Sequence, residues 1–99
     1  MDRIPTPTIS DFLREYMEPL NLSAYKLAKE IHVPVSRIQD LLHNRRKMTV
    51  DTSIRLGKFF GQDDLFFMRI QMDLDYRETL IAIEKDIETI KPINKLIIG

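Results

Sequence analysis

The sequence predicts an all-α domain of five helices joined by short loops. Three observations carry that expectation. Apolar residues recur at three- and four-residue spacing in five separate stretches. Ser, Thr, Asp or a proline opens each stretch, and Pro, Asn or Gly closes most of them. The strict alternation of a half-buried strand appears nowhere before the last residues.

The elements follow in order. Ile4-Pro5-Thr6-Pro7-Thr8 is extended, because two prolines exclude a helix there. Ser10 or Thr8 caps a first helix carrying Phe12, Leu13, Tyr16 and Met17, and Pro19 ends it. Ser23 caps a second helix whose apolar face is Tyr25, Leu27, Ala28 and Ile31, and His32-Val33-Pro34 breaks it. Val35-Ser36 opens a third, with Ile38, Leu41 and Leu42 inward. Asn44 stands where a left-handed residue is wanted at its end. Thr49 caps a fourth helix whose core side is Val50, Ile54, Leu56 or Gly57, and Phe59-Phe60, and Gly61 terminates it. Asp63 or Asp64 starts a fifth, through Leu65, Phe66, Met68, Ile70, Met72 and Leu74, which runs into a weaker helical stretch from Arg77 to Thr89. Pro92 stops any helix, and Ile93, Leu96, Ile97 and Ile98 form an apolar tail, helical or extended. The expected organisation is an arm over 1–8, a domain over 9–76, and an extension over 77–99 that is a candidate dimer contact.

Bulk properties narrow the function. A chain of 99 residues holds one domain with a modest core. It has no apolar run of about 18 residues and no basic-then-apolar leader, so the expectation is a cytoplasmic protein without a membrane partner. The absence of cysteine excludes disulfides and thiolate metal sites and fits a reducing compartment. The formal net charge is zero, but it is unevenly spread. Residues 21–61 hold eight of the basic side chains (Lys26, Lys29, Arg37, Arg45, Arg46, Lys47, Arg55, Lys58) against Glu30, Asp40 and Asp51, while both ends are acidic. A basic middle between acidic ends suggests one surface for a polyanion and another for a different partner.

The span from Ser23 to Leu42 is two short helices joined by a tight turn. Small Ala28 lets the helices cross closely, Val33 fills the turn, and Ile38 and Leu41 lock the third helix on the second. That leaves the N-terminal, outward side of the third helix free to enter a major groove. Its candidate base-reading residues are Val35, Ser36, Arg37, Gln39 and Asp40. Gln39 suits adenine, Val35 a thymine methyl, Asp40 a cytosine amino group, and Ser36 can donate or accept. Arg37 reaches guanine or a phosphate. Candidate phosphate contacts are Ser23, Lys26, Arg45, Arg46, Lys47 and Thr49.

These residues resemble a known family. Glu18-Pro19-Leu20-Asn21-Leu22-Ser23, Leu27-Ala28 and Val33-Pro34-Val35-Ser36-Arg37-Ile38 are similar to the HigA (VapI-like) antitoxins of the XRE-type helix-turn-helix superfamily. So is the run Asn44-Arg45-Arg46-Lys47-Met48-Thr49-Val50-Asp51-Thr52-Ser53-Ile54-Arg55-Leu56 followed by Phe59-Phe60-Gly61. Leu65-Phe66-Phe67-Met68 with Gln71, then Leu74-Asp75, continue the likeness, which covers about 18–76. Pro7-Thr8-Ile9-Ser10 stands where the family often has His-Pro-Gly-Glu, and Phe67 replaces a tryptophan. The resemblance implies a five-helix lambda-repressor-like bundle and the antitoxin of a type II toxin–antitoxin module. Such a protein silences a HigB-like mRNA endonuclease and represses its own operon by binding an inverted repeat of double-stranded DNA as a homodimer. Phe66, Phe67, Ile70 and Leu74 are the expected dimer contact, with burial in the protomer's own core as the competing reading.

No cofactor and no metal are expected. His32 and His43 lack ligand spacing and read as turn residues. Asp63-Asp64 suit a helix start, Asp73 and Asp75 a polar face, and nothing forms a nucleophile–base set, so an enzyme is not expected. Two other readings remain beside the antitoxin: a stand-alone transcriptional regulator, and an interaction module that no longer binds DNA.

Overall fold

The computed structural model describes residues 6–94. Its helices are α1 (Ile9–Met17), a single 3-10 turn (Glu18–Leu20), α2 (Ala24–Ile31), α3 (Val35–Leu42), α4 (Val50–Phe60) and α5 (Phe66–Ile87). This is the expected all-α fold. The apolar tail expected over 96–98 lies outside the described residues.

Start signals behave as short polar side chains should. Thr8, not Ser10, caps α1, in a reciprocal box with Asp11. Ser10 lies one turn inside and is buried, its hydroxyl donating to the Leu42 carbonyl at the end of α3 (2.6 Å). Ser23 caps α2 and Thr49 caps α4, each accepting a backbone N–H three residues on.

Four chain reversals share one stop. Asn21, His32, Asn44 and Gly61 all adopt the left-handed conformation, at φ 53°, 63°, 57° and 72°. In each the next residue's N–H returns to a carbonyl five residues back: Leu22 to Met17, Val33 to Ala28, Arg45 to Asp40, Gln62 to Gly57, at 2.8–3.1 Å. This bond satisfies carbonyls that the helix end would orphan, and it turns the chain sharply.

The core gathers Leu13, Leu27, Ile38, Leu41, Leu56 and Phe67, all fully buried. Helices α2 and α3 pack on each other, α1 lies across α3, and α4 braces α2 and α5. Tyr16 is the centre of an aromatic cluster, its ring 5.3–5.7 Å from those of Phe60, Phe66 and Phe67.

Helix α4 departs from expectation. Its inward side is Thr52, Ser53, Leu56 and Gly57, whereas Val50, Ile54 and Phe59 are exposed. The reason is close approach. A β-carbon on Gly57 would stand 2.7 Å from the Asp63 carbonyl oxygen. Ser53 donates to the Asp64 carbonyl (2.7 Å) and accepts from Met68 N–H (3.0 Å), so a small polar face joins α4 to the start of α5. Tyr25, expected on the apolar face of α2, also points outward.

Helix α5 runs unbroken through the boundary expected at residue 76, for 22 residues and about 33 Å. The radius of gyration, 18.0 Å, exceeds the roughly 13 Å of a compact chain this long, because the second half of α5 projects from the bundle. Among the described residues no helix is long and apolar enough to cross a membrane.

Candidate nucleic-acid interface

Helix α3 is held from behind at its C-terminus. There Ser10 and Arg14 of α1 both donate to the Leu42 carbonyl, Arg14 at 3.1 Å, which places a positive charge where the helix dipole is negative. The preceding helix receives the same treatment, as Arg55 of α4 donates to the carbonyls of Ile31 (3.0 Å) and His32 (3.3 Å). Arg14 thus ties α1 to the end of α3, and Arg55 ties α4 to the end of α2. Neither stands out in the sequence, because each acts on a backbone carbonyl 24 or 28 residues away.

The N-terminus of α3 has no side-chain cap: Pro34 precedes it and has no hydroxyl or amide to offer. Its first N–H groups therefore face outward beside the candidate reading residues. Ser36 and Gln39 are exposed. Val35 is half-buried and packs on the core, so only part of its side chain can meet a base. Arg37 and Asp40 are engaged elsewhere. The Arg37 guanidinium pairs with Asp51 at the start of α4 (2.9 Å). Asp51 also takes Arg55 (2.8 Å), and the hydrogen bond from Arg55, reinforced by Arg37, holds its carboxyl below the usual carboxylate range.

Asp40 is tied to the basic loop. The reversal at Asn44 sends Arg45 back along α3, so that its Nε lies 3.1 Å from Asp40 Oδ1, with Arg46 3.8 Å from the other oxygen. The loop's far end is anchored on α5. Met48 is buried and its N–H donates to Gln71 Oε1 (2.9 Å). Gln71 Nε2 then donates to Asp75 (3.1 Å), which also holds Lys47 (3.0 Å). Of the remaining phosphate candidates, Ser23 and Thr49 already cap their helices, and Lys26 pairs with Glu30 (3.1 Å).

The four residues expected at a dimer contact fall on two sides. Phe67 is wholly inside the protomer and Leu74 nearly so, leaving no surface for a partner; this corrects the expectation for both. Phe66 and Ile70 are half-buried against the same core. The exposed apolar stripe lies further along α5, at Met72, Tyr76, Leu80 and Ile83. Among the described residues no three His, Cys, Asp or Glu side chains group as metal ligands.

The sequence profile of the helix-turn-helix family matches residues 13–65, from α1 to the start of α5. This chain belongs to the XRE-type helix-turn-helix family. The match takes in all the candidate base-reading and phosphate-contacting residues, and the family is one of DNA-binding proteins, not enzymes. Virulence-associated protein I of Dichelobacter nodosus is 36% identical over 77 residues, 77% of this chain and 71% of that protein. Among solved structures, an addiction-module antidote protein of the HigA family from Coxiella burnetii superposes with a TM-score of 0.83 at 32% identity, covering 90% of this chain and 99% of that one. The Pseudomonas aeruginosa antitoxin HigA, solved with the higBA promoter, gives 0.81 at 26% identity, covering 89% and 98%. The protein is thus a helix-turn-helix DNA-binding protein built like HigA antitoxins.

Proposed function

We propose that this protein is the antitoxin of a type II toxin–antitoxin module. It represses its own operon by binding an inverted repeat as a homodimer, and it neutralises a HigB-like mRNA endonuclease in the cytoplasm. The observation that carries the DNA half is the presentation of α3: an uncapped N-terminus and exposed Ser36 and Gln39, on a helix held at its far end by Ser10 and Arg14. Ser36 and Gln39 read bases, and Arg37 contributes a phosphate contact once it leaves Asp51. Arg45, Arg46 and Lys47, with the helix starts at Ser23 and Thr49 and the nearby Lys26, add sequence-independent affinity. The toxin half rests on likeness to HigA proteins along nearly the whole chain.

The dimer rests on the stripe Met72, Tyr76, Leu80, Ile83, with half-buried Phe66 and Ile70 closer to the protomer's own core. A dozen projecting helical residues with no packing of their own are marginal in water. A second copy related by a two-fold axis covers the stripe with itself and sets two α3 helices about 34–36 Å apart, one turn of B-DNA.

The test is a gel-shift titration on the DNA upstream of the gene against scrambled DNA at two salt concentrations. It is paired with co-expression of the neighbouring gene product in a growth assay. Specific, salt-weakened binding that disappears in Ser36→Ala with Gln39→Ala, together with rescue of growth, supports the whole reading. Intact DNA binding without rescue identifies a stand-alone regulator. Equal, weak binding to both DNAs removes the DNA half.

A further inference from the structure

Almost every cation of the basic middle segment is already answered by a carboxylate of the same chain. Lys26 pairs with Glu30, Arg37 and Arg55 with Asp51, Arg45 and Arg46 with Asp40, Lys47 with Asp75, and Lys58 with Asp64, all at 2.8–3.8 Å. Lys29 is the eighth cation of that segment. The surface that should attract phosphate is therefore partly compensated from within, and it keeps a positive excess because Asp40 and Asp51 each serve two arginines.

One of these carboxylates differs from the rest in position. Asp40 sits on α3 itself, one residue after Gln39, and it occupies two arginines at once. In the DNA complex proposed above it enters the major groove or its mouth. There an unpaired carboxylate meets the negative field of the phosphates, and the usual base partner of a carboxylate in that groove is the N4 amino group of cytosine. Arg45 hydrogen-bonds Asp40 now and Arg46 pairs with it more loosely by charge, and both can bind a phosphate oxygen by charge-assisted hydrogen bonds instead. The two events are linked. If the arginines move to phosphates, Asp40 loses its partners, and a cytosine opposite it supplies the replacement that suits a carboxylate best.

We propose that Asp40 is a specificity-determining residue that gates the Arg45–Arg46 loop. The loop transfers to the DNA backbone only where a cytosine amino group takes over the Asp40 carboxylate. On other sequences the arginines stay on Asp40 and contribute nothing. This rests on the DNA-binding reading and adds to it a coupling between a phosphate contact and a base. Contacts that ordinarily carry no sequence information acquire it, and non-specific binding is suppressed.

The local geometry favours a discrete exchange over a loose one. The Asn44 reversal fixes the root of Arg45 by its N–H bond to the Asp40 carbonyl, so the side chain moves without unwinding the helix end. At its other end the loop is fastened to α5 through Met48 and Gln71.

The experiment measures the dependence of affinity on salt, for the operator and for scrambled DNA, with three proteins: the wild type, Asp40→Asn, and Glu15→Gln. Glu15 is exposed on α1, so its variant makes the same change in net charge away from α3. For the wild type, the log–log slope is expected to be steeper on the operator than on scrambled DNA by about 1.8, the share of two phosphates. Asp40→Asn is expected to steepen the slope on scrambled DNA by the same amount. Its non-specific affinity should rise about tenfold at 50 mM salt relative to 200 mM. The specificity ratio then falls, and replacing the cytosine opposite residue 40 weakens binding less than it does for the wild type. Glu15→Gln should leave the slopes where they are. If Asp40→Asn leaves slope and ratio on scrambled DNA unchanged, or behaves like Glu15→Gln, the gate is wrong while DNA recognition stands. If the wild type shows no salt-dependent binding to either DNA, both the gate and the reading beneath it fall. Unfolding midpoints of the three proteins, expected to agree closely, separate a gate from a folding defect.

Discussion

The two halves of α5 have the same backbone and opposite relations to the rest of the protein. From Phe66 to Leu74 the helix is part of the core, with Phe67, Gln71 and Leu74 turned inward. From Asp75 onward almost every residue is exposed, and the apolar ones keep a stripe through Met72, Tyr76, Leu80 and Ile83. At about 100° per residue the two sets lie nearly on opposite sides of the helix. A helix that reverses its apolar face midway serves two different partners. The first is the rest of the protomer, and the second, in the proposed function, is another copy.

The largest expected effect separates the halves directly. Phe67→Ala removes a fully buried ring and should cost about 3–5 kcal/mol in urea unfolding, with DNA binding lost as the bundle loosens. Leu80→Asp with Ile83→Asp should leave the bundle folded but yield a monomer in sedimentation, with dimer affinity down by about a hundredfold or more. A dimer that survives the double substitution would place the second copy elsewhere.

A smaller effect sharpens the boundary. Gln71 lies in the inner half yet serves the basic loop, as the acceptor for the buried Met48 N–H. Gln71→Leu keeps the volume and orphans that donor, at an expected cost of about 1–3 kcal/mol. Operator affinity should fall with it while the dimer persists. Equal losses from both would show that the loop and the stripe are one unit.

The smallest effect gives the scale of a contact outside α5 altogether. Asp51 has a carboxyl held below its unfolded value by Arg55 and then Arg37. Its contribution is complete above about pH 4 and disappears as the pH falls through the folded value. Asp51→Asn should therefore be less stable than the wild type near neutrality, by a modest margin because the pair is on the surface, with the gap closing on acidification. A gap that persists in acid would assign the loss to something other than charge.

Much of this was legible in the residues. Helix stops at Asn44 and Gly61, caps at Ser23 and Thr49, and inward Leu27, Ala28, Ile38 and Leu41 follow from local chemistry, and they emerge as expected. What escaped depends on contacts between distant segments. Val50, Ile54 and Phe59 look like core because they are apolar, yet the loop after α4 crosses at Gly57, on the other side. Ser10 looks like a cap because it is a serine, yet it serves a carbonyl 32 residues away. Asp40 reads as a free acceptor until the reversal at Asn44 brings Arg45 onto it. Phe67 and Leu74 show the same limit, since periodicity gives their shared face without saying whether it meets the protomer or a partner.

The unbroken course of α5 has a consequence for how such a protein changes over generations. One residue inserted or removed between Leu74 and Tyr76 would spin the outer stripe by about 100° and slide it about 1.5 Å against α3. In the proposed dimer both copies would then meet at a new angle, and their α3 helices would fall out of phase with the turn of the duplex. Seven-residue changes nearly restore the phase, whereas single ones do not. Under the proposed function the length of this helix and the spacing of the operator half-sites are therefore inherited as a pair, and a drift in either alone would silence the switch.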